Sequence, residues 1–233
     1  MDFRYNEKII FENTSIDIED NKLNVILGPN GSGKSTLLKI ITGEIKTNCS
    51  IQNSFKNVFY LPQNPYYPKS MTTFDYLSSI FFKNNWKWYL TAEEKQKIND
   101  VLEQIGLADK QKINIENLSG GEIQKVNIGL GLLSEADILL LDEPASNMDL
   151  INQIKILKML KSLSSNGITS VIIMHELNLA IKYGDCFAGI DRQHKIIQKN
   201  KNEFFEKQIL KQIYDMNFEI SENNGNTYVQ IID

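Results

Sequence analysis

Three observations predict an α/β fold with a largely parallel sheet. Five short apolar runs, at residues 24–27, 58–61, 138–141, 171–174 and 186–190, are separated by stretches with helical spacing. The runs scarcely alternate with polar residues, the pattern of strands covered on both faces. A glycine-rich loop sits between the first run and helix-forming residues. A chain of 233 residues, 42% of them hydrophobic, has core material for one large or two small domains, and nothing in it argues for an independent second one.

The loop after the first run reads Gly28, Pro29, Asn30, Gly31, Ser32, Gly33, Lys34, Ser35, Thr36 and fits the phosphate-binding pattern G-x-x-x-x-G-K-[ST]. Glycines let the backbone curl so that N–H groups and the following helix start point at a β-phosphate. Lys34 then reaches the β/γ oxygens, and Ser35 offers a hydroxyl to Mg²⁺. The 58–61 strand is followed by Leu61-Pro62-Gln63-Asn64, which taken alone is ordinary turn chemistry. From about residue 64 to 117 the chain is helical and aromatic-rich. Thr91 and Glu94 form a capping box there, followed by Ile98, Val101, Leu102 and Ile105.

Ser119, Gly120, Gly121 and Glu122 form a second S-x-x-E box, at the start of a helix carrying Ile123, Val126, Leu130 and Leu133. Alone it is a cap and a turn; beside a phosphate loop, its free N–H groups suit an anion. The 138–141 strand ends in Asp142 and Glu143. Asp142 is placed to hold Mg²⁺ directly or through water, and Glu143, pointing elsewhere, to polarise an attacking water. Asp149 is a helix N-cap ahead of Ile154, Leu157 and Leu160, and His175 stands just beyond the 171–174 strand. Residues 203–214 read as one helix, and 218–220 with 228–232 as a hairpin around Asn223-Asn224-Gly225-Asn226.

The phosphate loop, Gln63, the Leu118 to Glu122 signature, Asp142-Glu143, Asn147-Met148-Asp149 and His175 come in an order and spacing that resembles ATP-binding cassette (ABC) ATPases. The resemblance covers nearly the whole chain. It implies a single ABC ATPase domain, residues 1–233, with a phosphate-loop NTPase core, a helical subdomain inserted at about 64–127, and a C-terminal helix and hairpin at about 203–233. The implied ligands are ATP and Mg²⁺. The implied metal-side residues are Ser35, Gln63 and Asp142, and the implied hydrolytic residues are Glu143, His175 and Gln63. Tyr5, 29 residues before Lys34, stands where the family stacks an aromatic ring on adenine. The signature and Asp149 would serve the opposite subunit's site, which implies a two-fold homodimer holding two nucleotides.

His175-Glu176-Leu177-Asn178-Leu179-Ala180, with Tyr183 and Asp185, is similar to a segment of importer ATPases for iron chelates (siderophores), haem and cobalamin. That implies membrane permease subunits, a substrate-binding protein and a cytoplasmic, peripheral position on the inner face of the membrane. The helical subdomain would receive a helix of the permease, and Phe74, Tyr76, Phe81, Phe82, Trp86, Trp88 and Tyr89 there divide between core and anchor surface. The alternatives are an importer ATPase for another metal ion or small solute, a soluble ABC ATPase acting on nucleic acid or ribosomes, and a phosphate-loop kinase, which would have no use for the signature.

The chain departs from the family pattern in places. It begins almost at Tyr5, so no leading strand is expected. Only 28 residues separate Lys34 from Gln63, so the antiparallel, adenine-side part should be reduced. Glu122 and Lys125 replace the commoner glutamine and arginine. Net charge is −4 with no basic cluster, which argues against nucleic acid as a partner. Cys49 and Cys186 have no metal-like spacing and fit a reducing compartment. No stretch approaches the ~18 apolar residues of a membrane span, and the first residues lack signal-peptide character.

Overall fold

The computed structural model describes residues 3–5, 8–11, 14–46, 55–68, 70–82, 89–146 and 148–232, with the backbone alone for 3–5 and 8–10. Strands β1 (Phe3–Tyr5) and β2 (Lys8–Phe11) pair antiparallel. Strand β3 (Leu23–Leu27) runs through the phosphate loop into α1 (Lys34–Ile41), and β4 (Val58–Leu61) follows. Helices α2 (Thr73–Ser78), α3 (Ala92–Gln104) and α4 (Gly120–Leu133) form the helical region. Next come β5 (Ile138–Leu141), α5 (Leu150–Ser165), β6 (Thr169–Ile173), α6 (Leu177–Tyr183), β7 (Cys186–Ile190) and β8 (Ile196–Lys199). Helices α7 (Lys201–Phe204) and α8 (Lys207–Tyr214) precede the hairpin β9 (Asn217–Asn223) and β10 (Asn226–Ile232).

The main sheet has six strands in the order β4-β5-β6-β3-β7-β8, parallel except for β8. Successive strand residues point to opposite faces, and both faces are covered. On one side Val25, Leu139 and Ile172 pack with Leu157 and Leu160 of α5 and with Phe204 and Leu210 of the tail. On the other, Ile26, Leu140 and Ile173 pack with Leu37, Leu38 and Ile40 of α1 and with Phe11. A third apolar cluster, including Leu77, Ile98, Leu102, Ile115 and Val126, belongs to the helical region. Each fully buried Leu or Ile is worth about 1.5–3 kcal/mol, so a helix seated by three such residues is held by packing rather than by propensity.

Several expectations change. Residues 3–5 do form a leading strand, because they have β2 to pair with; the run was too short to show the period of a strand. The antiparallel part is nonetheless small, two strands among the described residues. Strand β8 went unread, since only Ile196 and Ile197 mark it after a polar turn. The expected 203–214 helix is two helices. Phe204 and Phe205, at the end of the first, both pack on the Phe187 ring, at centroid distances of 5.6 and 4.9 Å. Strand β6 starts at Thr169, whose hydroxyl accepts from the Asn21 amide at 2.9 Å. The hairpin turns at Asn224-Gly225, both with positive φ, the geometry of a two-residue primed turn.

In the helical region Tyr76 is buried, Phe74 and Phe81 pack partly against its core, and Phe82 and Tyr89 are exposed. Trp86, Trp88, Cys49 and Asn147 lie outside the described residues.

Candidate active site

The carboxyl ends of parallel strands form one edge of the sheet, and connections leaving that edge meet above it. Four of them carry the predicted groups. The phosphate loop follows β3, Gln63 follows β4, Asp142 and Glu143 follow β5, and His175 follows β6. An open cleft of about 550 Å³ is lined by Asn30, Gly31, Lys34, Ser35, Gln63, Glu143 and His175 among others.

Gly28 turns the chain out of β3 at φ 148, and a Cβ there would overlap the Ile190 carbonyl oxygen on the neighbouring strand. Gly33 caps α1 at φ 99 without any side-chain hydrogen bond, so the first N–H groups of the helix remain available to an anion. Lys34 curls back across the loop, its Nζ donating to the Gly28 and Pro29 carbonyls at 2.8 and 2.9 Å. Burial lowers its pKa, while the charges of Glu143 and Asp142 oppose that shift. The ammonium is thus fixed over the loop before any ligand orders it. Ser32 and Thr36 lie in the same loop and first turn, and the Ser32 Oγ has no hydrogen-bond partner among the described residues.

Glu143 is the centre of the constellation. Gln63 Nε2 donates to its Oε2 at 2.7 Å, and His175 Nε2 donates to its Oε1 at 2.7 Å. Two residues from distant parts of the chain therefore meet on one carboxylate. Its backbone is left-handed at φ 52, a state that costs a non-glycine residue about 1–3 kcal/mol and recurs at functional sites. Ser146 holds that turn, its N–H and its hydroxyl both donating to the Glu143 carbonyl at 3.1 and 3.0 Å.

Asp142 is buried at the tip of β5. Burial raises its pKa first, hydrogen bonding from Ser35 opposes that, the Glu143 charge adds to it, and Tyr60 opposes it again. Its Oδ1 has no hydrogen-bond partner among the described residues. Ser35 Oγ, the Asp142 carboxylate and the Gln63 amide oxygen are all hard oxygen donors, which fits Mg²⁺, an ion bound through few protein ligands together with substrate phosphates. Among the described residues no group of three or more His, Cys, Asp or Glu could hold a metal alone.

Tyr60 and His194 escaped the sequence reading. The Tyr60 hydroxyl lies 3.5 Å from Asp142 Oδ2, and burial with the Asp142 charge pushes its pKa up to about 12, so it stays a donor. His194 lines the cleft and donates from Nδ1 to the Ser32 carbonyl at 2.9 Å. The available signals were the inward position of Tyr60 on a strand beside the aspartate and the scarcity of histidine, two in the chain.

The signature stands elsewhere on the molecule. Ser119 caps α4, with Glu122 completing the capping box. The Ser119 N–H, then Lys110 at 2.9 Å, hold the Glu122 carboxyl down at about 2. Gly121 faces Asn152, whose N–H and Nδ2 both donate to Asp149 at 2.8 and 2.9 Å. Ser119, Gly120, Gly121, Glu122 and Asp149 are thus neighbours, outside the cleft that holds Lys34. The Tyr5 side chain lies outside the described residues.

A family model described as ABC transporter matches residues 11–146, more than half of the chain. The chain belongs to the ABC transporter family. An uncharacterised ABC transporter ATP-binding protein of Methanocaldococcus jannaschii is 34% identical over 97% of this chain and 93% of its own length. The petrobactin import ATP-binding protein of Bacillus subtilis is 31% identical over 93% of this chain and 91% of its own. Among solved structures, an inward-facing metal-chelate type ABC transporter matches with TM-score 0.83 at 22% identity, over 93% of this chain and 88% of that one, a likeness of fold. As a member of this family the chain binds and hydrolyses ATP. Among the described residues of this ABC ATPase no helix is long and apolar enough to cross a membrane.

Proposed function

We propose that this ABC ATPase drives an importer for an iron chelate, with haem- and cobalamin-type cargo in the same class, through separate membrane permease subunits and a substrate-binding protein. The observation that carries the hydrolytic part is the Glu143 carboxylate, gripped by Gln63 and His175 at 2.7 Å each beside Lys34. The cargo class is supported by relatives such as the petrobactin importer subunit and by the His175 to Ala180 segment.

In this reading the phosphate loop from Gly28 to Thr36 holds the β- and γ-phosphates, with Lys34 neutralising charge. Ser35, Asp142 and Gln63 would hold Mg²⁺, which when bound supplies positive charge to the phosphate oxygens. Glu143 takes a proton from water as the water oxygen bonds to the γ-phosphorus, and the bond to the β,γ-bridging oxygen breaks. His175 Nε2 aligns the Glu143 carboxylate until nucleotide binds, and its N–H then turns towards the γ-phosphate. Tyr5 stacks on the adenine.

Lys34 and Ser119 are separated within one copy, so a second copy supplies the signature, and Asp149 with it, in a homodimer. Exposed Leu150 and Ile151 beside Asp149 offer apolar surface for that contact. The whole chain acts as one ATPase domain whose helical insertion, about residues 64–127, with exposed Tyr89, meets the permease. That arrangement puts it on the cytoplasmic face of the membrane.

The test is uptake of radio-iron chelate by cells lacking this chain. Uptake is expected to fail, to return with the wild-type chain, and not to return with Glu143→Gln. Undiminished uptake of iron chelates, haem and cobalamin in the deleted strain would refute the cargo class.

A further inference from the structure

The phosphate loop has a second histidine against it. His194 lies in the turn from β7 to β8, organised by buried Asp191, whose Oδ1 accepts the Gln193 and Lys195 N–H groups at 2.8 and 2.9 Å. The turn holds His194 at φ 63, in the left-handed region that asparagine, aspartate and histidine enter more readily than other residues with a Cβ. Its ring meets buried Phe11 of β2 edge-on, at a centroid distance of 6.5 Å and 75°. Nδ1 is engaged by the Ser32 carbonyl in the middle of the phosphate loop, so Nε2 is the ring nitrogen left for the cleft that the imidazole lines. A left-handed turn, a buried carboxylate and an aromatic wall together aim one imidazole at the loop.

The strand order decides which part of a nucleotide it would meet. Glu143 follows β5 and His175 follows β6, on one flank of the loop that follows β3; His194 follows β7, on the other flank. At about 4.8 Å per strand, β5 and β7 stand roughly 14 Å apart, more than the span of a triphosphate's phosphorus atoms. If the γ-phosphate lies by Glu143, the opposite flank meets the α-phosphate end.

We propose that His194 is a nucleotide-binding residue whose Nε2 contacts the α-phosphate, the part common to ADP and ATP, and that it takes no part in γ-phosphate cleavage. This rests on the cleft being the ATP site. With Nδ1–H given to the Ser32 carbonyl, Nε2 carries a proton only in the imidazolium form, whose positive charge the phosphate favours; Nε2–H donating to a phosphate oxygen is then a charge-assisted hydrogen bond.

Calorimetric titration of His194→Gly and His194→Asn with MgADP, and with MgATP in the Glu143→Gln background, reads the contact. Both replacements tolerate φ 63 and lose only the Ser32 bond and the Phe11 contact, so the melting temperature of the ligand-free protein should fall by no more than about 2–6 °C. The expected result is an equal loss of affinity for ADP and ATP, about ten-fold for one hydrogen bond to a charged group. KM should rise by that factor, with kcat retained at saturation. No loss for either nucleotide, a loss confined to ATP, or a fall in kcat at saturation would overturn the assignment. Lys34→Ala separates the two levels of inference. If it leaves binding intact, the cleft reading itself fails; if it abolishes binding while His194→Gly does nothing, only the role of His194 fails.

Discussion

Replacing Glu143 by glutamine keeps the shape of the side chain and removes its capacity to take a proton. Both oxygens of the carboxylate currently accept, from Gln63 Nε2 and His175 Nε2 at 2.7 Å. The new amide has one acceptor and one NH₂, so one of these contacts sets donor against donor. Gln63 resolves the conflict by rotating its amide, presenting its oxygen, and the fold survives. General-base catalysis is worth about 10²–10⁴ in rate. At ~1.36 kcal/mol per decade this corresponds to roughly 2.7–5.5 kcal/mol of transition-state stabilisation. The expected outcome is a fall in kcat of that size with ATP affinity within a few-fold of wild type, because Lys34 and the loop amides are untouched. Phosphate release at saturating MgATP measures kcat, and calorimetric titration measures affinity. In the same background His175→Ala should cost little more, since residues acting as a unit are not additive. Turnover within three-fold of wild type in Glu143→Gln would refute the assignment of the base.

Three further outcomes follow from particular contacts. Gly28→Ala drives a methyl group into the Ile190 carbonyl at φ 148, so phosphate binding should be lost and the melting temperature reduced; wild-type nucleotide affinity would show that the loop tolerates the shift. The Asn178 side chain donates to the Val229 carbonyl at 3.1 Å and accepts from its N–H at 2.8 Å. Asn178→Ala should therefore cost about 2 kcal/mol, at ~1 per bond. For a chain of this size that is a drop of roughly 4–8 °C in a thermal melt, and an unchanged melt would mean the hairpin is held without the clamp. The Glu122 carboxyl is held at about 2, below its ordinary 4.5, so it contributes stability at pH above 4.5 that is lost as pH falls through about 2. Glu122→Gln should flatten the acid limb of stability against pH in that window, read by denaturant melts; an unaltered limb would show that the capping box does not titrate there.

Much of the site was legible because its chemistry is local. A phosphate loop needs its glycines and Lys34 within nine residues, and each capping box needs its partners three apart, so both are visible to short-range spacing. The strands at 58–61, 138–141 and 186–190 were readable for a related reason: burial on both faces leaves an unbroken apolar run. Strands β1 and β8 were not. They are short, and what makes them strands is the neighbour they pair with, which no local pattern records. The break in the tail helix is likewise invisible locally, since residues 201–214 contain neither glycine nor proline to mark it.

By itself the sequence determined the nucleotide loop, the acidic strand tip, the caps and the order of the motifs, all properties of residues near one another along the chain. Tertiary structure decided what meets what. Parallel strands in the order β4-β5-β6-β3-β7 bring Gln63 and His175 onto the Glu143 carboxylate and put His194 on the far flank of the phosphate loop. They leave the signature glycine Gly121 beside Asn152 instead of beside Lys34. Strand order is set by how helices cover both faces of a twisted sheet, a long-range packing outcome, and side chains hundreds of atoms apart along the backbone become partners only once it exists.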